Sequence, residues 1–471
     1  MLQSVTTAAH ERASHPQRVA VVGAGYVGLT AAACLAELGH DVTCVEKDPA
    51  RLASLWSGGV PILEEGLPEL VAASAAAGRL RFTADIAEAL EGARVALLCV
   101  GTPPRADGEP DLGQLAEAAR RAALVASGDL VLVVKSTVPP GSCEAIELLA
   151  AEEAPEGVTV SIASNPEFLR EGRAVFDFFN PDRLVIGAEN AALAEVVAEL
   201  YPEAWPKLIC DRRSAELVKY AANTFLAVKI SFANEVAALC GALGADAGRV
   251  LAGVGLDGRI GAQFLSPGPG FGGSCLPKDL SGLIAVAESL EQPALVARAA
   301  RAVNARVLDR LVSTLDSVLG GLEGRKIAVL GLAFKAGTDD TRQSPGLALA
   351  SQLSRKGAEV RAHDPLAVVA AQGFEQVGDP YEAAEGADAL VVATGWPSYR
   401  DLRPDRLGRL MCQAVVLDAA GVLDEGAFAG AGLDFYGVGR GQPTSFHPVI
   451  WRPFEWSLAS GAALAAAGSP R

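Results

Sequence analysis

Cys275 stands in the stretch GFGGSCLPKD, Gly270 to Asp279, with four small residues ahead of it and Lys278 and Asp279 just after. A cysteine in such a turn can act as a nucleophile, because the thiolate attacks electrophilic carbon and glycines let backbone and substrate approach closely. Lys278 could favour the thiolate electrostatically. No second cysteine lies within four residues, and none of the five histidines (10, 15, 40, 363, 447) is near in sequence, so no metal is expected. A plain buried thiol is the alternative reading. SAELVKYAAN places Lys219 and Asn223 four apart, on one face of a helix. Such a pair is commonly a solvated stripe, but the neighbours are Leu, Val, Ala and Phe, and a buried ammonium needs an anionic partner. SNPEFLREG offers Glu167 and Glu171 at helical spacing after a strand-like run read as the edge of a sheet. They are either a capping carboxylate with a surface pair to Arg170, or carboxylates placed where a cofactor's reactive end would lie. KSTVPPG puts Thr137 just beyond another strand.

The elements that must carry these side chains begin with RVAVVGAGYVGLTAAACLAELGHDVTCVEKDP. An apolar run leads into Gly23-Ala24-Gly25-Tyr26-Val27-Gly28, then a helical stretch stopped by Gly39, then a second strand ending at Glu46, 18 residues past Gly28. That context makes a βαβ unit for a dinucleotide, with the pyrophosphate at the helix N-terminus. Glu46 would accept from the ribose hydroxyls and repel a 2′-phosphate, which favours NAD; Lys47 and Arg51 pull the other way. RVALLCVG, DLVLVVKST, VTVSIAS and RLVIG continue as strands between alanine-rich helices, the pattern of a parallel doubly wound sheet. From about Arg213 to Leu243 a single long helix is expected, because the run lacks Gly and Pro until Gly241. KIAVLGLAFK then echoes RVAVVGAGYVG, but only the first glycine survives, at Gly331, so this second sheet should bind something other than a dinucleotide. The expected chain is α/β: two Rossmann-like doubly wound parallel-sheet domains, 18–212 and 319–447, joined by a helical region, 213–318, that carries the cysteine loop, with flexible ends at 1–17 and 448–471.

Composition narrows the field further. Half of the 471 residues are apolar and the formal net charge is −16, which argues against a nucleic-acid binder. No run of about 18 uninterrupted apolar residues appears and the first 20 residues lack an apolar core, so a cytoplasmic chain without a membrane partner is expected. Seven of the eight cysteines, all but Cys275, read as buried free thiols.

With these residues in view, the chain resembles the UDP-glucose/GDP-mannose dehydrogenase family from about residue 18 to 440. The motifs are GAGYVGL, VPILEEGLPEL, VGTPP, KSTVPPG, NPEFLREG, ELVKYAANTFLAVKISFANE, GRIG, GFGGSCLPKD and GLAFKAGTDDTR. The resemblance implies oxidation of a nucleotide sugar's C6 alcohol to a carboxylate with two NAD+. It makes Cys275 the nucleophile of a thiohemiacetal and then a thioester, Glu167 the base for thioester hydrolysis, and Thr137 a holder of the water. Lys219 and Asn223 match the oxyanion stabilisers, and Asp279 the support of that network. Gly23, Gly25, Tyr26, Val27, Gly28, Glu46, Arg51, Thr102, Thr137, Glu171, Lys278 and Arg342 fall at cofactor positions. Phe168, Leu169, Lys219, Asn223, Phe264, Leu265, Gly272, Phe334 and Lys335 fall at substrate positions. Arg259 matches a residue that reaches the partner subunit's site, so a homodimer is implied. One departure is DAAG, Asp418 to Gly421, where many relatives read DGR and supply a basic substrate contact. UDP-glucose is the favoured substrate; TDP-glucose is the runner-up, ahead of GDP-mannose or a UDP-N-acetylhexosamine. A hydroxyacid-type dehydrogenase, which needs no thiol, and a non-catalytic NAD-responsive binding protein are the rival readings.

Overall fold

The computed structural model describes residues 13–105, 108–370 and 373–440. Of the segments discussed above, 1–12, the C-terminal domain's last residues 441–447 and the end 448–471 lie outside the described residues.

Eight strands form the first sheet: β1 (Arg18–Val22), β2 (Asp41–Val45), β3 (Leu80–Thr83), β4 (Val95–Leu98), β5 (Leu130–Val134), β6 (Val160–Ser164), β7 (Leu184–Gly187) and β8 (Lys207–Cys210). Their order is β3-β2-β1-β4-β5-β6-β7-β8. The central strands are continuous apolar runs such as VALL and LVLVV because helices cover both faces, and two separate clusters of buried side chains result. β1 to β6 are parallel, but β7 meets β6 antiparallel through Ser164 and Gly187. β6 is therefore not the edge strand, and the sheet is not wholly parallel. The link after β6 is a loop followed by the six-residue helix Ala174–Phe179, too short to return the chain to the opposite end before β7 begins.

A second sheet contains β9 (Lys326–Leu330), β10 (Glu359–His363), β11 (Glu375–Gln376), β12 (Ala389–Val392), β13 (Val415–Asp418) and β14 (Asp434–Gly437). It is parallel throughout, in the order β11-β10-β9-β12-β13-β14. Between the sheets runs a helix of 32 residues, Arg212–Leu243. Asp211 opens it by accepting from the Ser214 amide at 2.9 Å, and Gly244 closes it in the left-handed conformation. By length and composition the helix could cross a membrane, its most apolar 18-residue window having a mean hydropathy of 1.5. Its inner side, however, buries Glu216, Lys219, Asn223 and Asn234 against the rest of the protein. The helix Leu276–Ser289 packs on it, as does the helix Leu295–Leu319, whose second half enters the core of the second sheet.

Candidate active site

Cys275 is the N-cap of the helix Leu276–Ser289, which starts there because Pro277 suits the first turn, where its missing N–H is not needed. Asp279 follows in the first turn, near the positive end of the helix dipole. The glycines ahead of the cysteine admit the close approach of backbone from the other domain. A Cβ on Gly272 would collide with the Gln343 carbonyl, and one on Gly273 would lie 2.7 Å from the Phe334 ring. They allow the cysteine loop to lie against the C-terminal domain, and Gly273 N donates to the Arg342 carbonyl at 3.1 Å.

The long helix presents Lys219 and Asn223 to the same spot, one turn apart and both buried. Lys219 Nζ stands 3.2 Å from Glu167 Oε1. Asn223 Nδ2 donates to Asp279 Oδ2 at 2.6 Å, and Lys278 Nζ donates to Asp279 Oδ1 at 2.6 Å. Two buried carboxylates thus face two ammoniums, and the pairing offsets the cost of taking these charges away from water. Burial works against the Lys219 ammonium, yet Glu167, Asp279 and Cys275 outweigh it and hold its pKa above the ordinary lysine value. Burial, then Glu167 and Asp279, push the Cys275 thiol up, while Lys219 and the Ser274 hydroxyl pull it down. The cation that favours the thiolate is therefore Lys219 rather than Lys278, whose ammonium is spent on Asp279.

Glu167 and Glu171 do not share a helix. Residues 165–170 are irregular and a turn follows, because the loop's amides are claimed by side chains instead of carbonyls four residues back. Leu169 N donates to Glu167 Oε2 at 2.6 Å, Arg170 N to Asp177 at 3.0 Å, and Gly172 and Ala174 N to Glu64 at 2.8 and 2.6 Å. Glu171 accepts from the Ser274 hydroxyl at 3.1 Å and lies 3.6 Å from Arg342, which is also paired with Asp340. Burial and the Asp340 charge raise the Glu171 carboxyl to about 7.

One cavity of about 750 Å³ brings together Cys275, Glu167, Lys219, Asn223, Phe334 and Lys335, with Phe168, Leu169, Glu171, Phe264 and Gly272 also on its walls. Phe264 takes a left-handed backbone, φ 64°, in the loop beside the thiol. Leu265 is buried behind that loop. Thr137 lies beyond β5, its carbonyl accepting from the Thr102 hydroxyl at 3.0 Å. Arg259 is exposed, bound to Asp257 at 2.6 Å, and does not line its own chain's cavity. A larger cavity of about 840 Å³, between the long helix, Leu295–Leu319 and the end of β14, contains none of the reactive candidates.

Two cavity residues carry no signal of their own in the sequence. Arg183 stacks its guanidinium 3.9 Å from the Phe168 ring centre. Lys135, in the KSTVPPG stretch, is buried and bonded to Asn165 Oδ1 at 3.0 Å, with the Tyr201 hydroxyl at 3.4 Å.

The first sheet's carboxyl edge fits a dinucleotide. A Cβ on Gly28 would strike the Gly23 carbonyl, so helix and strand meet only with glycine there, whereas one on Gly25 would meet nothing within 4 Å and leaves room for a phosphate. Tyr26 and Val27 begin the helix Tyr26–Glu37, and Glu46 is buried just past β2 with Asp48 N at 2.8 Å. Arg51 is exposed in the helix Pro49–Trp56. In the second sheet the matching turn is already filled: Asp364 Oδ2 accepts from Leu332 N at 2.7 Å and Ala333 N at 2.9 Å. The protein's own carboxylate occupies the amides that a pyrophosphate would need. The other cysteines are free, but Cys412 is exposed and Cys210 half-buried, since both lie outside the apolar cores.

Residues 17–205 match the NAD binding domain of the UDP-glucose/GDP-mannose dehydrogenase family, 213–306 its central domain and 328–425 its UDP binding domain. A UDP-glucose 6-dehydrogenase of Rhizobium meliloti is 43% identical over 437 residues, covering 90% of this chain and 99% of the relative. One of Pseudomonas aeruginosa is 42% identical, over 90% of this chain and 97% of its own. The solved UDP-glucose dehydrogenase of the hyperthermophilic archaeon Pyrobaculum islandicum superposes with a TM-score of 0.85 at 40% identity, covering 92% of this chain and 99% of that one.

Proposed function

The chain belongs to the UDP-glucose/GDP-mannose dehydrogenase family, and from that membership we propose that it is the NAD-dependent enzyme that oxidises the C6 alcohol of UDP-glucose to the carboxylate of UDP-glucuronate. NAD+, seated at the Gly23–Gly28 turn, supplies a hydride acceptor for each of two successive oxidations. Lys219 and Asn223 donate to the C6 oxygen as negative charge develops on it, a task suited to fixed donors shielded from water. Cys275 then adds to the C6 aldehyde: a C–S bond forms, and the sulfur's proton passes to the new alkoxide. The thiohemiacetal keeps the aldehyde bound and oxidisable, and its own oxidation leaves a thioester on Cys275. Glu167 takes a proton from the attacking water, with Thr137 beside it; the C–S bond breaks and the carboxylate departs. Asp279 holds Asn223 and Lys278 in place. Glu171, Lys278, Arg342 and Thr102 serve the cofactor's reactive end.

On the nucleotide side, residues 319–447, as far as they are described, grip the diphosphate with Phe334 and Lys335, while 213–318 bring Cys275 between the two sheets. The second subunit completes the site. Leu217, Phe225, Phe232, Leu239 and Leu243 form an exposed apolar stripe along one side of the long helix, which a homodimer would cover while Arg259 reaches the neighbouring cavity. Eight free thiols suit a reducing cytoplasm.

The observation that carries this reading is the single cavity in which a thiol, a buried lysine–carboxylate pair and a buried amide converge. Counting NADH per sugar tests it: two per UDP-glucose are expected, and Cys275→Ser should stop after the first oxidation or trap an intermediate. One NADH per sugar with an unchanged rate in Cys275→Ser overturns it. TDP-glucose remains a reading of its own because of the DAAG turn. Asp418 spends its oxygens on the Ala420, Gly421 and Leu423 amides at 3.1, 2.8 and 2.7 Å, and this turn offers the nucleotide no cation. Running TDP-glucose and GDP-mannose beside UDP-glucose separates these substrates.

A further inference from the structure

Glu64 lies in VPILEEGLPEL, a stretch that has no part in the chemistry above, more than 100 residues from the catalytic loop. It is 4% exposed, and both its oxygens are in use. Oε2 accepts from the Tyr26 hydroxyl and from Gly172 N at 2.8 Å, and Oε1 accepts from Ala174 N at 2.6 Å. Gly172 N reaches the Tyr26 hydroxyl oxygen as well, at 2.6 Å. No ion pair at Glu64 is found among the described residues. Burial raises its carboxyl pKa, against which the loop amides and the more distant Lys335 pull. A carboxylate is kept under such cover only when its donors are fixed.

Those donors belong to two different parts of the site. Tyr26 is the first residue of the helix that opens at the Gly23–Gly28 turn, where the function proposed above seats the dinucleotide. Gly172 and Ala174 end the loop that carries Glu167, Phe168 and Glu171, and the Lys335 ammonium from the C-terminal domain bonds the Glu171 carbonyl in that same loop. A Cβ on Gly172 would strike the Gly337 carbonyl, so this end of the loop is also packed against the second domain. We propose that Glu64 is a positioning residue that locks the end of the catalytic loop to the cofactor-binding helix, so that the seat of the dinucleotide and the loop bearing the hydrolytic base are held as one unit. The roles of cofactor and base rest on the function proposed above; the lock itself is a matter of three hydrogen bonds.

The test uses Glu64→Ala, Tyr26→Phe and the double variant of the full chain. Amide exchange of the segment 165–174 should quicken at least about tenfold in Glu64→Ala, since the factor expected for one buried hydrogen bond is about that and all three made by Glu64 are lost, while exchange in β1, β4 and β5 stays as in the parent. NAD Kd, titrated without sugar, should rise several-fold, and kcat should fall more than KM for the sugar rises. The two substitutions should be non-additive in NAD Kd, because each breaks the same link. A purely structural role would lower the melting temperature and the active fraction yet leave the folded molecules' NAD Kd and kcat unaltered, and that result overturns the proposal. So does parental exchange at 165–174, or strict additivity. If Glu64→Ala does not fold, Tyr26→Phe alone must quicken exchange at 165–174 and weaken NAD. Exchange and NAD affinity need no turnover, so they judge the lock even if UDP-glucose proves not to be the substrate.

Discussion

Cys275 rests as a thiol in the free protein because burial, Glu167 and Asp279 together outweigh Lys219 and Ser274. A thiol held this way reacts slowly near neutral pH, and its reactivity toward alkylating reagents reads the balance directly. The signs follow from the charges. Removing the Glu167 anion favours the thiolate, so Glu167→Gln should lower the thiol's pKa and speed iodoacetamide alkylation at a fixed pH. Removing the Lys219 cation should do the reverse: Lys219→Met should raise the pKa and slow alkylation. The wild-type inflection should lie above that of a free cysteine, Glu167→Gln should move it down and Lys219→Met should move it up. Alkylation rates measured between pH 7 and 10 on the three proteins check it. A shift of the same sign in both variants would remove Lys219 and Glu167 as opposing neighbours of the thiol. During turnover Glu167→Gln should in addition gather thioester, seen as added mass on Cys275.

The elements that could be read from sequence are those whose signal is local. β1, β4 and β5 are apolar runs because they are covered on both faces, and the long helix announces itself by 29 positions without Gly or Pro from Arg212 to Cys240. β8, whose Leu208 and Ile209 are exposed, and the two-residue β11 lack that covering and carry no comparable pattern. The Glu167–Glu171 loop has helical spacing in sequence but is not a helix, because side chains outside it, the nearby Asp177 and the distant Glu64, take amides at its end. The glycines around Cys275 carried a similar ambiguity: sequence shows that space is needed but not what needs it. Here it is the other domain. Gly273 has φ 83° and no room for a Cβ beside Phe334, so Gly273→Ala combines backbone strain with displacement of a proposed substrate contact. A destabilisation of about 1–3 kcal/mol is expected, together with a larger loss of kcat/KM for the sugar than for NAD. Denaturant midpoints and steady-state kinetics on the variant measure both. Equal losses for both substrates would show that the cysteine loop's seat against Phe334 does not matter to the nucleotide sugar.

At the scale of the whole molecule, the cavity holds Cys275, Lys219, Asn223 and Glu167, yet Arg259 does not line it and pairs with Asp257 on the surface. The long helix, meanwhile, exposes Phe232 and Leu239 at a spacing of seven, about two turns apart on one side. A two-fold dimer resolves both features at once, because self-association covers the stripe on each copy and can carry each Arg259 to the other cavity. If that is how the site is completed, two inactive proteins can repair one another. Arg259→Ala keeps a sound cavity but cannot complete its neighbour's, whereas Cys275→Ser has a dead cavity and a sound Arg259. In a mixed dimer, one of the two sites pairs the intact Cys275 with the intact Arg259. Coexpressed in equal amounts, half the dimers are mixed and one site in two is whole, so about a quarter of wild-type activity should return. Phe232→Glu placed in both chains should abolish the repair by giving monomers in sedimentation. No recovery from a mixture that demonstrably forms heterodimers would mean that Arg259 serves its own chain or none.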